Sequence, residues 1–471
     1  MSRIKFGTSG WRAIISEEFT FANVKLVTQA IANHLQETGE AAKGVVVGYD
    51  TRFFSQEFAQ ATANVFMGND IKVYFSKRDI PTPTIAFEIL RRNAGGGINF
   101  TASHNPYNYN GIKFSPAWGG PALPESTTAI EKEIAAVDIQ GGIKELGITE
   151  GKAKGLYEEF DGRTYYLPRL EELIDFEVIK QARLKLVINP LYGTSRDYLD
   201  ALLEQNGCDI TVINNQRDVY FGGFPPEPAP GNIRDMINQV TSSGAHLGLA
   251  TDGDGDRFGI VDSDGDVITP NYIISLLLIY LLKNRDYTGG VARSVATTHL
   301  IDAVAEKEGI ELFETAVGFK YIGELIAKNK IIIGGEESAG LSIYGHVPEK
   351  DGLLACLLTA EMIAKSGKTL KELIADAYAN YGSFYNDRIN LHLSETQQEK
   401  FKASLKNPPN ELAHHKVVEV KTIDGTKLIF NDGSWVLFRF SGTEPIVRIY
   451  AESNSPANME ELLIAAQQLV E

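Results

Sequence analysis

The sequence predicts an α/β protein of three similar domains with mixed sheets, followed by a smaller C-terminal α+β domain, all four set around one central cleft. Three observations lead there. A loose strand–helix–strand pattern occurs three times in the first three quarters of the chain. Each occurrence is followed by another short strand that runs into a polar, glycine-rich loop. Beyond about residue 380 the pattern changes to strands in which apolar and polar residues alternate.

The first unit reads GVVVGYD, then a helical stretch from Gln56 to Met67, then IKVYFS. The second reads LKLVINP, a helix around Tyr198 to Gln205, then CDITVIN. The third reads GVARSVATT, a helix from Leu300 to Glu308, then IELFETA. Short Val/Ile-rich runs on either side of an amphipathic stretch are the signature of parallel strands covered by helices. The next strands are GGGINF before TASHNP, AHLGLA before TDGDGDR, and KIIIG before GEESAG. Open α/β sheets bind ligands in loops beyond the carboxyl ends of their strands, so three such loops predict one composite site between domains. RINLHL, KVVEVKTI, TKLIFN, SWVLFRF and IVRIYAE read as antiparallel strands, closed by a helix from Asn458 to Leu469. The expected domains are 1–155, 156–265, 266–380 and 381–471.

The chain has 471 residues, 43% hydrophobic and 23% charged, as in an ordinary globular protein. A net charge of −16 argues against a nucleic-acid partner, whose phosphates need a basic face, but leaves room for a small anionic substrate held by local cations. Cys208 and Cys356 lie far apart in apolar-rich segments and read as small buried hydrophobes in a reducing compartment. The N-terminal MSRIKFGTSGWR has no apolar signal core, and the nearly apolar run from Tyr272 to Leu282 is too short to span a bilayer. A cytoplasmic protein without a membrane partner, monomeric or a small homo-oligomer, is expected.

Four loops carry candidate chemistry. In Thr101-Ala102-Ser103-His104-Asn105-Pro106, Ser103 is a candidate nucleophile, with a capped turn as the plainer alternative. The G-x-S-x-G elbow is missing, and adjacency is expected to point the His104 ring away from the Ser103 hydroxyl, so a hydrolase triad is not expected. A serine carrying a phosphoryl group needs cationic help, which His104 and Lys113 could supply. In Asp252-Gly253-Asp254-Gly255-Asp256-Arg257, three close carboxylates can converge on one hard cation, with Arg257 beside it facing a substrate phosphate. An EF-hand would need Gly and Glu where Arg257 and Ser263 stand, and the run Asp262, Asp264, Asp266 fails the same comparison at Val267 and Ile273.

In Gly335-Glu336-Glu337-Ser338-Ala339-Gly340, two acids and a serine can read vicinal hydroxyls or can mark a helix N-terminus. Lys350, shortly after, is expected to titrate low if a cation or arginine lies nearby, and so to serve as acid or base. In Arg439-Phe440-Ser441-Gly442-Thr443-Glu444-Pro445, with Arg448 close behind, exposed N–H groups, hydroxyls and guanidinium forks suit a phosphate dianion. A hairpin loop is the alternative there.

In order along the chain, TASHNPYNYNGIKF, DGDGDR, GEES and RFSGTEP resemble the four signature loops of the α-D-phosphohexomutase superfamily. The resemblance covers essentially the whole chain. It implies a phosphorylated Ser103, and magnesium bound by Asp252, Asp254, Asp256 and one phosphoserine oxygen of Ser103. It implies that Glu336 and Ser338 grip sugar hydroxyls and that Arg439, Ser441, Gly442 and Thr443 hold the non-reacting phosphate. Arg12, in Gly7-Thr8-Ser9-Gly10-Trp11-Arg12, matches an arginine near the active serine, Lys113 a first-loop lysine, and Lys320 a lysine on a loop that closes on substrate.

One departure stands out. Some members carry histidine six residues into the sugar loop, where this chain has Gly340. The EKDG segment instead resembles the phosphoglucomutase branch, which favours Lys350 as acid/base with His104 and Lys113 as rivals. The resemblance therefore implies interconversion of glucose 1-phosphate and glucose 6-phosphate, with glucose 1,6-bisphosphate as intermediate and activator. The alternatives are a phosphomannomutase, a dual-specificity enzyme or a phosphoglucosamine mutase. A non-catalytic phosphosugar-binding protein and a calcium-binding structural protein are the readings from other classes.

Overall fold

The computed structural model describes residues 4–7, 10–140, 142–440 and 446–470. Val45–Tyr49, Val73–Ser76 and Gly96–Phe100 form the parallel heart of a six-stranded first sheet. Val45–Tyr49, with three valines in five residues, and Gly96–Phe100 are buried throughout, and Val73–Ser76 is buried but for Tyr74, as suits strands covered on both faces. Trp11–Ile14 and Tyr109–Pro116 extend that sheet antiparallel on one side. Tyr157–Phe160 closes the other side, parallel to Val73–Ser76, so the first sheet runs past the expected limit at 155.

The second sheet has the order Val267–Ile268, Phe258–Asp262, Leu247–Thr251, Lys185–Asn189, Asp209–Val212. The third has the order Leu312–Thr315, Gly290–Ser294, Ile331–Glu336, Gly340–Ile343. In all three sheets the polar loop joins a parallel strand to an antiparallel neighbour, which aims the three loops alike. The helices Ser55–Gly68, Leu199–Gln205 and Leu300–Glu308 fall on the stretches read as helical.

The fourth sheet is wholly antiparallel, with the order Tyr385–His392, Ile446–Ser453, Trp435–Phe440, Thr426–Phe430, His415–Lys421, Glu411–Leu412. The helices Glu395–Ser404 and Pro456–Val470 supply Phe401, Leu462, Leu463 and Ala466 to its core.

The first and fourth sheets have cores of their own, but the second and third share one. The helix Gly352–Ser366 is buried along almost its whole length, and it lies in that common core. Its first residue is tied to the aspartate loop 252–256, with Gly352 N–H donating to the Gly255 carbonyl at 3.1 Å. The apolar run from Tyr272 lies within the helix Pro270–Asn284, and it too is part of this core. Among the described residues no helix is long and apolar enough to cross a membrane.

Candidate active site

Ser103 sits in the turn after Gly96–Phe100 with a φ of +52°, a left-handed conformation that a non-glycine residue adopts only when its surroundings enforce it. Here they do. The Ser103 N–H donates to Thr101 Oγ1 at 2.8 Å. The fully buried Arg52 donates from Nη2 to the carbonyls of Ser103 (2.6 Å) and Asn105 (2.7 Å). It donates from Nη1 to the carbonyls of Pro106 (2.7 Å) and Tyr109 (3.1 Å). Asp50 anchors the same guanidinium through Nε at 3.0 Å. Neither Arg52 nor Asp50 was singled out in the sequence. The available signal was an Asp-x-Arg at the end of a Val-rich strand.

The turn delivers the Ser103 hydroxyl to Asp252, donating to Oδ2 at 2.7 Å. Asp252 Oδ1 accepts the N–H groups of Asp256 and Arg257, each at 3.1 Å. Lys113 Nζ, from the strand Tyr109–Pro116, bridges Asp254 Oδ2 (2.5 Å) and Asp256 Oδ2 (2.7 Å). Thr82 Oγ1 also donates to Asp254 Oδ2, at 2.5 Å. All three aspartates are buried, and one oxygen from each lies within 4.8 Å of the others.

Burial and the charges of its two neighbours push the Asp252 carboxyl well above its usual range. Burial acts the same way on Asp254 and Asp256, but Lys113 outweighs it at both, helped at Asp256 by Lys350 and Arg257, and holds both low. Asp254 Oδ1 and Asp256 Oδ1 are buried with no hydrogen-bond partner among the described residues. Bare anionic oxygens in a buried triad call for a cation, and an all-oxygen donor set fits a hard one such as Mg²⁺.

His104 departs from expectation twice. Its Nδ1 lies 3.3 Å from Ser103 Oγ rather than turned away, because the left-handed turn at Ser103 brings its hydroxyl round to its neighbour. It is also no cation. The charge of Arg257, then burial and Arg12, push the imidazole far below its ordinary value, so it is neutral. Arg12, on the strand Trp11–Ile14, donates to Asn105 Oδ1 at 2.6 Å and so borders the serine turn. Arg257 places Nη1 3.6 Å from Glu227 Oε1, while its buried Nε has no partner among the described residues.

Lys350 also differs from expectation. Burial alone would lower its ammonium, but Asp256 (3.2 Å) and Glu349 (3.1 Å) outweigh both burial and Arg257 and raise it above its usual range. Its aliphatic stem lies against Gly340: a Cβ there would come within 2.2 Å of Lys350 Cδ. Lys350 thus occupies the space that a side chain at 340 would need.

At the end of Ile331–Glu336, Glu336 Oε1 accepts the Gly318 N–H at 2.7 Å. Burial and the neighbouring Glu337 raise its carboxyl to about 7. Ser338 is half-buried in the turn that follows. Lys320, the second residue of the helix Phe319–Ala327, lies 5.2 Å from the Tyr321 ring centroid.

On the fourth sheet Arg439 and Arg448 stand directly opposite each other across neighbouring strands. Paired like charges are unfavourable in a sheet and are relieved by an anion between them. Asp424 takes Arg439 Nε at 2.8 Å. Ser441, Gly442 and Thr443 lie outside the described residues, as do Thr8 and Ser9.

Comparison with known proteins identifies the four domains. Family models for the alpha/beta/alpha domains I, II and III of phosphoglucomutase/phosphomannomutase match residues 3–140, 164–265 and 269–381, and the C-terminal domain model matches 395–465. A phosphoglucomutase/phosphomannomutase of Thermococcus kodakarensis is 32% identical, over 99% of this chain and 98% of its own. A Methanosphaera stadtmanae protein named as a phosphoglucosamine mutase is 30% identical, over 97% and 96%. The crystal structure of a Thermus thermophilus protein assigned as a phosphomannomutase superimposes with a TM-score of 0.86 at 33% identity, covering 100% of this chain and 99% of that one. The chain belongs to the α-D-phosphohexomutase superfamily, and it is an enzyme of carbohydrate metabolism, a phosphohexomutase that transfers a phosphoryl group within its substrate.

Proposed function

We propose that this phosphohexomutase is a phosphoglucomutase, interconverting glucose 1-phosphate and glucose 6-phosphate through a phosphoserine at Ser103 and a glucose 1,6-bisphosphate intermediate. The observation that carries the choice of branch is the packing of Lys350 over Gly340, which builds the sugar loop around the EKDG lysine in place of a loop histidine.

In the first half-reaction the P–O bond to Ser103 Oγ breaks as the free sugar hydroxyl bonds to phosphorus. One proton passes, net, from that hydroxyl to the serine oxygen. The transferring group's own oxygens carry it, while Lys350, held as an ammonium between the aspartate loop and the sugar loop, steadies the charge on the sugar oxygen, and neutral His104 lies 3.3 Å from the serine oxygen. Lys113, Arg257 and Arg12 face the transferring oxygens with positive charge. Arg439, Arg448 and the loop 441–443 hold the other phosphate, while Glu336 and Ser338 grip hydroxyls placed alike in both sugar orientations. After the bisphosphate turns around, the second half-reaction returns a phosphoryl group to Ser103. Asp252, Asp254 and Asp256 would hold Mg²⁺, which would neutralise charge on the transferring group.

Chelation is accordingly expected to abolish turnover and added Mg²⁺ to restore it; full turnover after exhaustive chelation would refute the metal site. Glu336 supplies a pH test. Its ionised form, which predominates above about 7, accepts two hydroxyl hydrogen bonds, and protonation on lowering the pH removes one acceptor. KM should therefore rise as pH falls through that value, and Glu336→Gln, which does not titrate, should lose this limb while the substrate's own titration remains. A wild-type KM profile superimposable on that of the variant would show that Glu336 does not read the sugar.

The sugar itself is tested by kcat/KM for glucose, mannose and glucosamine 1-phosphates. Glucose is expected to lead, with mannose slower but usable, since the assigned readers grip hydroxyls common to both. A preference for glucosamine 1-phosphate would overturn the assignment, and a preference for mannose would make the enzyme a phosphomannomutase.

A further inference from the structure

Asp424 lies in the turn between the strands His415–Lys421 and Thr426–Phe430 of the fourth domain, outside every signature loop. One of its oxygens, Oδ2, accepts two hydrogen bonds from different domains: Arg439 Nε at 2.8 Å and the backbone N–H of Val317 at 3.1 Å. Val317 begins the segment Val317-Gly318-Phe319-Lys320, and the next N–H, that of Gly318, donates to Glu336 Oε1 at 2.7 Å. Gly318 has a φ of +130°, so this segment is bent into a conformation that only glycine adopts readily. A short chain of contacts thus runs from Arg439 through Asp424 and the Val317–Gly318 peptide to Glu336.

We propose that Asp424 is a positioning residue that sets the Arg439 guanidinium for phosphate and, through Val317, holds the sugar-reading loop in register with it. Engaging Nε leaves both Nη groups of Arg439 without a hydrogen-bond partner among the described residues, able to form a fork toward an anion. Losing the carboxylate frees that fork to rotate, opposite a second arginine that repels it. Losing the acceptor for Val317 loosens the peptide whose neighbour fixes Glu336. Both consequences weaken binding of substrate without touching the atoms that react at Ser103. This inference rests on the reading of Arg439 as phosphate holder and Glu336 as sugar reader.

The test uses the full-length, Mg²⁺-loaded protein and its Asp424→Ala and Asp424→Asn variants. Calorimetry gives Kd for glucose 6-phosphate and for inorganic phosphate, steady-state assays give KM and kcat, and thermal unfolding gives Tm. Asp424→Ala is expected to raise Kd and KM for the sugar phosphate about tenfold or more, with kcat within about twofold and Tm little changed. The advantage of glucose 6-phosphate over inorganic phosphate should shrink, because the hydroxyl contacts are lost along with the phosphate contact. Asp424→Asn, which keeps an acceptor for Val317, should retain more of that advantage than Asp424→Ala.

Unchanged Kd values in both variants would overturn the inference while leaving the mutase reading intact. So would a fall in kcat and Tm with Kd unaltered, which is what a purely structural role gives. Wild-type protein that binds glucose 6-phosphate in an Asp424-dependent way but does not turn it over would support the inference and refute the phosphoglucomutase reading.

Discussion

Replacing Ser103 by alanine is expected to abolish mutase turnover, by on the order of 10⁴-fold or more, while leaving the fold intact. The size of the effect follows from the role, since without the hydroxyl there is no atom to carry the phosphoryl group between half-reactions. The expectation of an intact fold follows from how the turn is held. Thr101 grips the Ser103 N–H and Arg52 its carbonyl, both backbone contacts that alanine retains. Asp252 loses one donor but keeps the N–H groups of Asp256 and Arg257. Intact-mass measurement of freshly purified wild-type protein should show a fraction heavier by one phosphoryl group, and Ser103→Ala should show none. A variant that matches wild-type turnover would sink the phosphoserine mechanism.

The chemistry-bearing loops were legible in the sequence because each is contiguous and follows a short apolar strand, so composition and order place Ser103, the aspartate triad and Glu336 at strand ends. What was not legible depends on contacts between distant segments. His104 faces the serine hydroxyl only because the turn is left-handed at Ser103, and it is neutral because Arg257 comes from the second domain. Lys350 is held as an ammonium by Asp256, which no spacing reveals. The helix Glu395–Ser404 did carry a local signal, the capping box Ser394–Gln397, and it shows that caps at the head of a polar segment deserve the same weight as apolar periodicity. The helix Arg163–Leu173, with Pro168 inside it, gives no such cue, yet its Tyr166 enters the core shared by the second and third domains.

Arg52 is the residue whose loss should harm the fold most directly, and it takes the active site with it. Its fully buried guanidinium donates to four carbonyls of the serine turn, pairs with Asp50 and lies 5.0 Å from the centroid of the Phe221 ring in the second domain. Arg52→Met keeps the apolar stem but strips four carbonyls of a donor and leaves Asp50 a buried carboxylate without its counter-charge. Breaking one side of a buried ion pair costs about 3–5 kcal/mol, and the carbonyls that lose the arginine donor act in the same direction. Chemical denaturation should show a loss of that order, with turnover falling further than the folded fraction does, because Ser103 is no longer held in its left-handed turn. Arg52→Lys should rescue only part of either quantity, since a point charge cannot serve a fan of acceptors laid out for a planar fork. Adding Asp50→Asn to Arg52→Met separates the two contributions. Stability should partly return once the unpaired charge is gone, while turnover should not, because the turn carbonyls still lack their donor. Unfolding free energy unchanged in Arg52→Met, or turnover restored in the double variant, would show that the turn holds Ser103 without this arginine.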